Sequence, residues 1–213
     1  MSGDERLARA RELYERAVFG GEADGLVVAA RELDGVEADL SLARGRVLHA
    51  QFLAERTEDP RELTLFERAA RPYRTLGDSR GEGESLFWVG TFHQVVRQDD
   101  DTAVPALERS LALARQADDR LTQSYALRHL GIAEHRAGRL EAARARLEES
   151  VRLRRELGFL PGVAANLVGL AYLAAQEGRH DEALALVEEA GTIAEASGAR
   201  GVLRSVEEAR ASL

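Results

Sequence analysis

The stretch GRLEAARARLEE, residues 138–149, recurs forty positions later as GRHDEALALVEE, residues 178–189. Both copies open with Gly-Arg and close with Glu-Glu. The apolar positions Leu107, Leu147 and Val187 keep the same spacing of 40 residues. A fixed period of this length, with helical patterning inside each unit, indicates a solenoid of stacked helix pairs, because one such unit cannot bury its apolar face alone.

Each unit divides into two helices, and a fourth copy of the pattern starts at Phe66. In the unit around residue 140, the apolar positions fall at helical spacing, with Leu127, Leu130 and Ala133 in a first helix over 121–137 and Ala143, Leu147 and Val151 in a second helix over 140–157. The turn at Gly138-Arg139 is short, so the two helices are predicted to be antiparallel neighbours. Gly158 after the second helix suits a left-handed cap.

Composition supports an all-helical fold and excludes several kinds of site. The chain has 213 residues, 45% of them hydrophobic and only 5% aromatic, with 4 prolines, which leaves little material for a β-sandwich. Cysteine is absent, so disulfides, zinc-thiolate sites and thiol catalysis are excluded.

Charge and the N-terminus bear on partners and location. The formal net charge is −8 and no basic arm is present, which disfavours nucleic acid as a partner. The N-terminal sequence MSGDERLARARELYERA has no apolar signal region, and no run of eighteen apolar residues follows. We therefore predict a cytoplasmic protein with no membrane segment.

The repeat resembles the tetratricopeptide repeat. The matching large and small positions are Leu127, Leu130, Gly131, Ala143 and Leu147 in the third unit and Leu167, Leu170, Ala171, Ala183 and Val187 in the fourth. Small residues at these places let two helix axes approach closely. In the second unit Gly90 or Thr91 holds the small position.

Three features depart from that family. The period is 40 residues rather than about 34, the helix-ending proline is missing, and the tyrosine-type position holds Glu134 or Ala174. The longer period is similar to the extended repeats in sensor domains of large bacterial transcription activators.

The resemblance implies an all-α, right-handed α-solenoid of about eleven helices in one domain over 1–213. We predict a degenerate helix pair over 1–35, a terminal capping helix over 200–213, and four repeats between them over 36–79, 80–119, 120–159 and 160–199.

The resemblance also places the first helix of each pair on the concave face and so predicts a binding groove. The candidate groove residues are Trp88, Phe92, Tyr125, Arg128, Ile132, His135, Arg136, Tyr172 and Gln176. Aromatic rings supply contact area at low entropic cost, and cations beside them can fix an acidic or amide group. For Trp88 and Phe92 a core position is an equal alternative, reached by a one-residue error of phase. His49 and His129 are interpreted as structural.

No catalytic motif is present, so no catalytic residue, metal or cofactor is predicted. Three acidic or glycine-rich stretches have structural interpretations: Gly77–Gly83 as a loop between repeats, Asp99–Asp101 as a helix cap, and His180–Glu182 as a first helical turn. The leading hypothesis is a scaffold that binds a protein or peptide. The alternatives are a sensor of a small molecule or signal peptide and, less favoured, an enzyme with an acid-base cluster of Tyr125, Arg128 and His135.

The two ends of the array differ. Val202, Leu203 and Val206 can pack back on the fourth repeat and cap the C-terminal end. At the other end, Leu26, Val27, Val28 and Leu33 cannot all face one neighbour at helical spacing. This predicts a homodimer through the N-terminal helices.

Overall fold

The computed structural model describes residues 4–213, and the described chain contains helices and no strand. Ten α-helices follow one another: α1 (Glu5–Gly20), α2 (Leu26–Glu55), α3 (Arg61–Leu76), α4 (Ser79–Thr91), α5 (Asp100–Gln116), α6 (Arg120–Arg136), α7 (Leu140–Glu156), α8 (Leu160–Gln176), α9 (His180–Ala196) and α10 (Arg200–Ser212). A short 3₁₀ turn, Ala23–Gly25, joins α1 to α2, and a π-helical segment, Phe92–Val96, extends α4.

The helices form a solenoid, as the repeat predicted. The closest packing is within the hairpins α2/α3, α4/α5, α6/α7 and α8/α9, and each hairpin then packs on the next. Successive first helices, α4 with α6 and α6 with α8, also adjoin. We call the surface formed by α2, α4, α6 and α8 the inner face. Equivalent close contacts do not join α5 to α7 or α7 to α9, so the array curves towards the inner face.

The turns inside and between the repeats follow from their residues. Gly138 and Gly178, in the two copies of the Gly-Arg turn, have φ of +76°, a left-handed conformation that other residues adopt at a cost. Gly158 also adopts it. The next helix begins at once, so partners in a hairpin are antiparallel.

The π-helical segment absorbs a one-residue insertion. The residues that cap the two helices of a hairpin are 20 positions apart in the third repeat, at Asp119 and Arg139, but 21 apart in the second, at Asp78 and Asp99. A π-turn holds one extra residue without breaking a helix. Before the insertion, α4 is therefore equivalent to α6 at a spacing of 41, so Trp88 corresponds to His129 rather than to Arg128.

The N-terminal region differs from the prediction of about eleven helices. A single helix, α2, runs for 30 residues across position 35, where the first pair was expected to end. Gly35 lies inside this helix, buried beside Arg6 and Leu76. One interior glycine costs about 1 kcal/mol, which packing on both sides of the helix offsets, so the helix continues through it.

The C-terminal helix α10 packs on the fourth repeat. Val206 is 1% exposed and joins the apolar core of the fourth repeat, with Val202 and Leu203 packed against it. Within residues 4–213, no helix combines the length and the apolar character needed to cross a membrane.

Candidate binding site on the inner face

Aromatic rings from three repeats form a continuous row on the inner face. The ring centroids of Trp88 and Phe87 are 5.0 Å apart, those of Phe87 and Tyr125 are 5.3 Å apart, and those of Tyr125 and Phe159 are 5.8 Å apart. We call these four residues the aromatic row. Edge and tilted contacts at such distances stabilise each ring's position. Phe87 is buried, so the row reaches the surface through the partly exposed rings of Trp88, Tyr125 and Phe159.

The two predicted groove residues of the second repeat, Trp88 on α4 and Phe92 in the π-helical segment, have different surroundings. Trp88 is partly buried, stacked on Phe66 at 5.5 Å and edge-on to His49 at 5.4 Å. Phe92 is 0% exposed, and its place on an accessible groove is wrong. The reason is the insertion in the π-helical segment, which makes a spacing of 40 residues misplace α4 by one position.

Two arginines meet beside the row with one amide between them. Nη1 of Arg128 on α6 donates to the carbonyl oxygen of Ala165 and to Oδ1 of Asn166, each at 2.8 Å. Nη1 of Arg154 on α7 donates to the same Oδ1 at 2.9 Å and to the carbonyl oxygen of Gly162 at 2.8 Å. Asn166 on α8 thus accepts from both guanidinium groups.

Arg154 is held inside the protein. It is 2% exposed, its guanidinium carbon lies 5.0 Å from the ring centroid of Tyr125 and 5.4 Å from that of Phe159, and its Nη2 atom has no hydrogen-bond partner in the described chain. The two ring faces attract the cation. One buried donor is nevertheless left unsatisfied, which is unusual and costly.

No carboxylate balances these two charges. Among residues 4–213, neither Arg128 nor Arg154 forms an ion pair with an Asp or Glu. Burial lowers the pKa of Arg128 to about 10, and burial together with the charge of Arg128 lowers the pKa of Arg154 to about 9. Both groups are therefore still cationic at neutral pH, and the site is electropositive although the protein is acidic.

Arg128 is the accessible member of the pair. It is only partly buried, and its Nε and Nη2 atoms make no hydrogen bond within the described chain while remaining open to solvent. These atoms are free to donate to a ligand.

The other predicted groove residues lie further along the inner face. Nε2 of His135 is 2.7 Å from Oε1 of Gln176, which joins α6 to α8. Arg136 is exposed and pairs with Asp100 at 3.3 Å. Tyr172 is 36% exposed and lies outside the aromatic row, and Ile132 is partly buried.

In residues 4–213 no hydrogen bond joins Tyr125, Arg128 and His135, the acid-base cluster considered from the sequence. His135 bonds to Gln176, whereas Arg128 bonds to Ala165 and Asn166. In the described part of the chain no three His, Asp or Glu side chains are grouped as a metal site would need.

The acidic stretches have the structural roles expected of them. Asp99 accepts a hydrogen bond from the backbone N–H of Thr102 and caps α5, and Glu182 in the first turn of α9 pairs with Arg144. The two histidines interpreted as structural are tied to neighbours. Nδ1 of buried His49 lies 2.7 Å from Glu62, and Nδ1 of His129 lies 2.6 Å from Gln94.

Four residues of the site were missed, namely Phe87, Arg154, Phe159 and Asn166, and the last three depart from the repeat. At a spacing of 40, Arg154 corresponds to Ala114 and Ala194, Phe159 to Asp119 and Ala199, and Asn166 to Ala126. Comparing the units with one another, rather than seeking what they share, would have singled out these positions.

A separate depression lies away from this site. It has a volume of about 770 Å³ and lies between α2 and α3, with Val47, Leu48, Gln51, Thr64 and Leu65 in its lining. It contains none of the predicted groove residues, so the small-molecule alternative gains no support at the groove itself.

The comparisons with known proteins agree with this architecture. A family model described as "Tetratricopeptide repeat" matches residues 83–156 and, in an overlapping second match, residues 122–196. The comparison with curated proteins gave no match. The two family matches together span 83–196, more than half of the chain and all of the region that carries the arginine pair. The similarity to sensor domains of transcription activators stays a prediction, and the chain belongs to the tetratricopeptide repeat family.

Proposed function

We propose that the chain is a scaffold that holds a peptide segment of a partner protein on its inner face, with an acidic group of that segment bound by Arg128. Tetratricopeptide repeats in general mediate interactions between proteins, and the family is typically not enzymatic. The proposal adds the place and the chemistry of binding. A cytoplasmic location is part of it.

The observation that carries the proposal is the unbalanced charge of the arginine pair. Placing two cations in a partly dehydrated site is costly unless an anion compensates them, yet the acceptors in the described chain are uncharged carbonyl, amide and hydroxyl oxygens. A carboxylate at the open side of Arg128 would accept from Nε and Nη2 in the bidentate geometry that arginine favours. The aromatic row alongside offers rigid contact area for neighbouring side chains of the same segment.

The test uses peptides selected for binding to the wild-type chain from a random displayed library. Each selected peptide is synthesised as such and with its Asp and Glu replaced by Asn and Gln, and affinities are measured by calorimetry. A charge-assisted hydrogen bond contributes about 1.5–3 kcal/mol, so Arg128→Gln should weaken the acidic peptides by about 10- to 100-fold. The same substitution should leave the neutral peptides nearly unchanged.

The matched control is Arg109→Gln, which removes an exposed arginine from α5, outside the inner face. It should bind the acidic peptides as the wild type does. Melting temperatures of both variants guard against misfolding, because Arg128 also ties α6 to α8. Selected peptides without any acidic residue, or equal losses for acidic and neutral peptides, would contradict the proposal.

A further inference from the structure

Helix α2 presents an apolar stripe to solvent. Leu26, Leu33, Leu40 and Val47 recur every seven residues and are 44, 45, 49 and 59% exposed. Over these 21 residues the helix rises about 31 Å at 1.5 Å per residue. A solvent-facing side of a helix is normally polar, so a continuous stripe of large apolar side chains marks a surface that binds another protein surface.

The stripe is open because its neighbouring helix is short. In every later hairpin the first helix is packed against the second helix of the preceding hairpin. At the N-terminal end that neighbour is α1, which has 16 residues against 30 in α2 and reaches only as far as Asp39, where Arg6 meets it. Within residues 4–213, the second half of α2 therefore has no helix in the position that α1 takes beside its first half, although its other sides pack on α3 and α4.

The positions between the large residues are small. Val36, Ala43 and Ala50 complete a heptad pattern with Leu33, Leu40 and Val47. In an antiparallel pair of such helices a large residue of one helix lies beside a small one of the other, which gives close packing without voids. Leu40 of one copy would lie beside Ala43 of the other, and Leu33 beside Ala50.

In that antiparallel arrangement, charged residues beside the stripe of one copy lie next to residues of opposite charge in the other copy. Glu37 precedes the centre of the stripe and Arg44 follows it, and their spacing of seven residues places both on one flank. An antiparallel copy places Glu37 next to Arg44 twice, once on each side of the twofold axis. Both flanks already have partners within the chain: Glu37 forms one exposed pair with Arg68 of α3, whereas on the other flank Asp39 binds both Tyr73 and Arg6, and Arg46 binds Glu84. The antiparallel arrangement exchanges the single exposed partner of Glu37 for Arg44. A parallel pair would need Asp39 to leave these partners to reach Arg44.

We propose that the occupant of this surface is a second copy of the chain, bound antiparallel through α2 about a twofold axis near residues 41 and 42. Each α1 flanks the seam and adds its own exposed residues, Leu7, Tyr14 and Val18, which are 47, 55 and 55% exposed. The four helices then form a bundle, and the inner face of each copy stays open. The proposal is independent of ligand binding at Arg128, which lies on α6.

Light scattering across a concentration series tests the dimer. The wild type should reach twice the chain mass of 23.3 kDa. Leu40→Glu should weaken the dimer at least about tenfold, because the carboxylate would be buried in the seam. The control is Leu184→Glu on α9, since Leu184 is also 49% exposed. A monomeric wild type at about 100 μM, or equal effects of both substitutions, would overturn the proposal.

A charge exchange tests the antiparallel register. Arg44→Glu alone and Glu37→Arg alone should each weaken self-association by about three- to tenfold, because like charges then meet twice across the seam. Combining both substitutions should return the affinity to within about threefold of the wild type. Failure of the double variant to recover, with its melting temperature unchanged, would exclude this register.

Discussion

At the scale of one residue, His129 shows how the surroundings on the inner face change the pKa of a titratable group. Its Nδ1 atom lies 2.6 Å from Oε1 of Gln94, and its ring is edge-on to Phe87 at 5.3 Å. Burial, together with the charges of Arg128 and Arg154, lowers the pKa of His129 to about 3. The imidazole is therefore neutral in the folded protein at any pH above about 4.

We predict an acid sensitivity from this histidine. An unfolded chain has a histidine pKa of about 6.5, so below that pH the unfolded state binds a proton that the folded state does not. The contribution is complete above pH 6.5 and falls by about 1.5 kcal/mol between pH 6.5 and 5. Urea unfolding at both pH values should show a smaller loss in His129→Gln than in the wild type. His180→Gln, at an exposed position, is the control, and equal losses in all three proteins would refute the assignment.

Single residues also show the limit of what the sequence can predict. Leu127, Leu130 and Leu147 lie in the core as their spacing predicted, because helical periodicity reports burial. Arg154 could not be placed this way, since an arginine on a helix is normally exposed. Its burial depends on Phe159, five residues later at the start of α8, and on Asn166 within α8, which are brought to it by the turn between the helices.

At the scale of elements, each hairpin is fitted together by one small and one large residue. Gly90 faces Leu107, Gly131 faces Leu147, and in the fourth repeat Ala171 and Val187 lie in one core cluster. Where the first helix carries glycine the second carries leucine, and where it carries alanine the second carries valine. The volume of the pair is conserved although neither residue is.

This complementarity predicts the outcome of a double-mutant cycle. In Gly90→Ala the new Cβ would lie 2.6 Å from Cγ of Leu107, and such overpacking costs about 1–3 kcal/mol, more than the gain in helix propensity. Adding Leu107→Val should recover at least about 1 kcal/mol relative to additivity. Thermal unfolding of the wild type, the two single variants and the double variant gives the four stabilities of the cycle. The control is Gly201→Ala, which should be neutral or stabilising because no atom lies within 4 Å of its Cβ. Strict additivity would contradict the pairing.

The helix bounds predicted for the third repeat agree with the structure, whereas the insertion and the continuous α2 before residue 97 were not predicted. The predicted helices over 121–137 and 140–157 match α6 and α7 to within one residue at each end. Hydrophobic periodicity cannot detect the insertion at Phe92–Val96, because a π-turn shifts the phase of the apolar pattern while leaving the chain helical. The continuity of α2 escapes it as well, since Gly35 looks like a helix end until α1 is seen to pack over it.

Burial is greatest within the array and falls at both ends, since α10 has only Val206 and Ala209 buried. Helix α8 has ten buried residues, whereas α1 has only Ala10. Contacts join each helix only to close neighbours in the array, so opening one end does not require opening the other. Stability in such a structure is a sum over units and their interfaces, and the N-terminal end is the least supported.

We therefore expect hydrogen exchange to be uneven in a dilute, monomeric sample. Amides of α1 should exchange through local openings, well below the free energy of global unfolding, and those of α6 to α9 should exchange only near that limit. Leu167→Ala, at a position 2% exposed, should lower protection in α7 to α9 by about 2–5 kcal/mol and leave α1 unchanged. The independence of α1 follows because its contacts are with α2 and not with the fourth repeat. If α1 lost protection together with α8, the array would unfold as one cooperative unit. Coupling between distant repeats would then have to pass through the contacts between helices on the inner face.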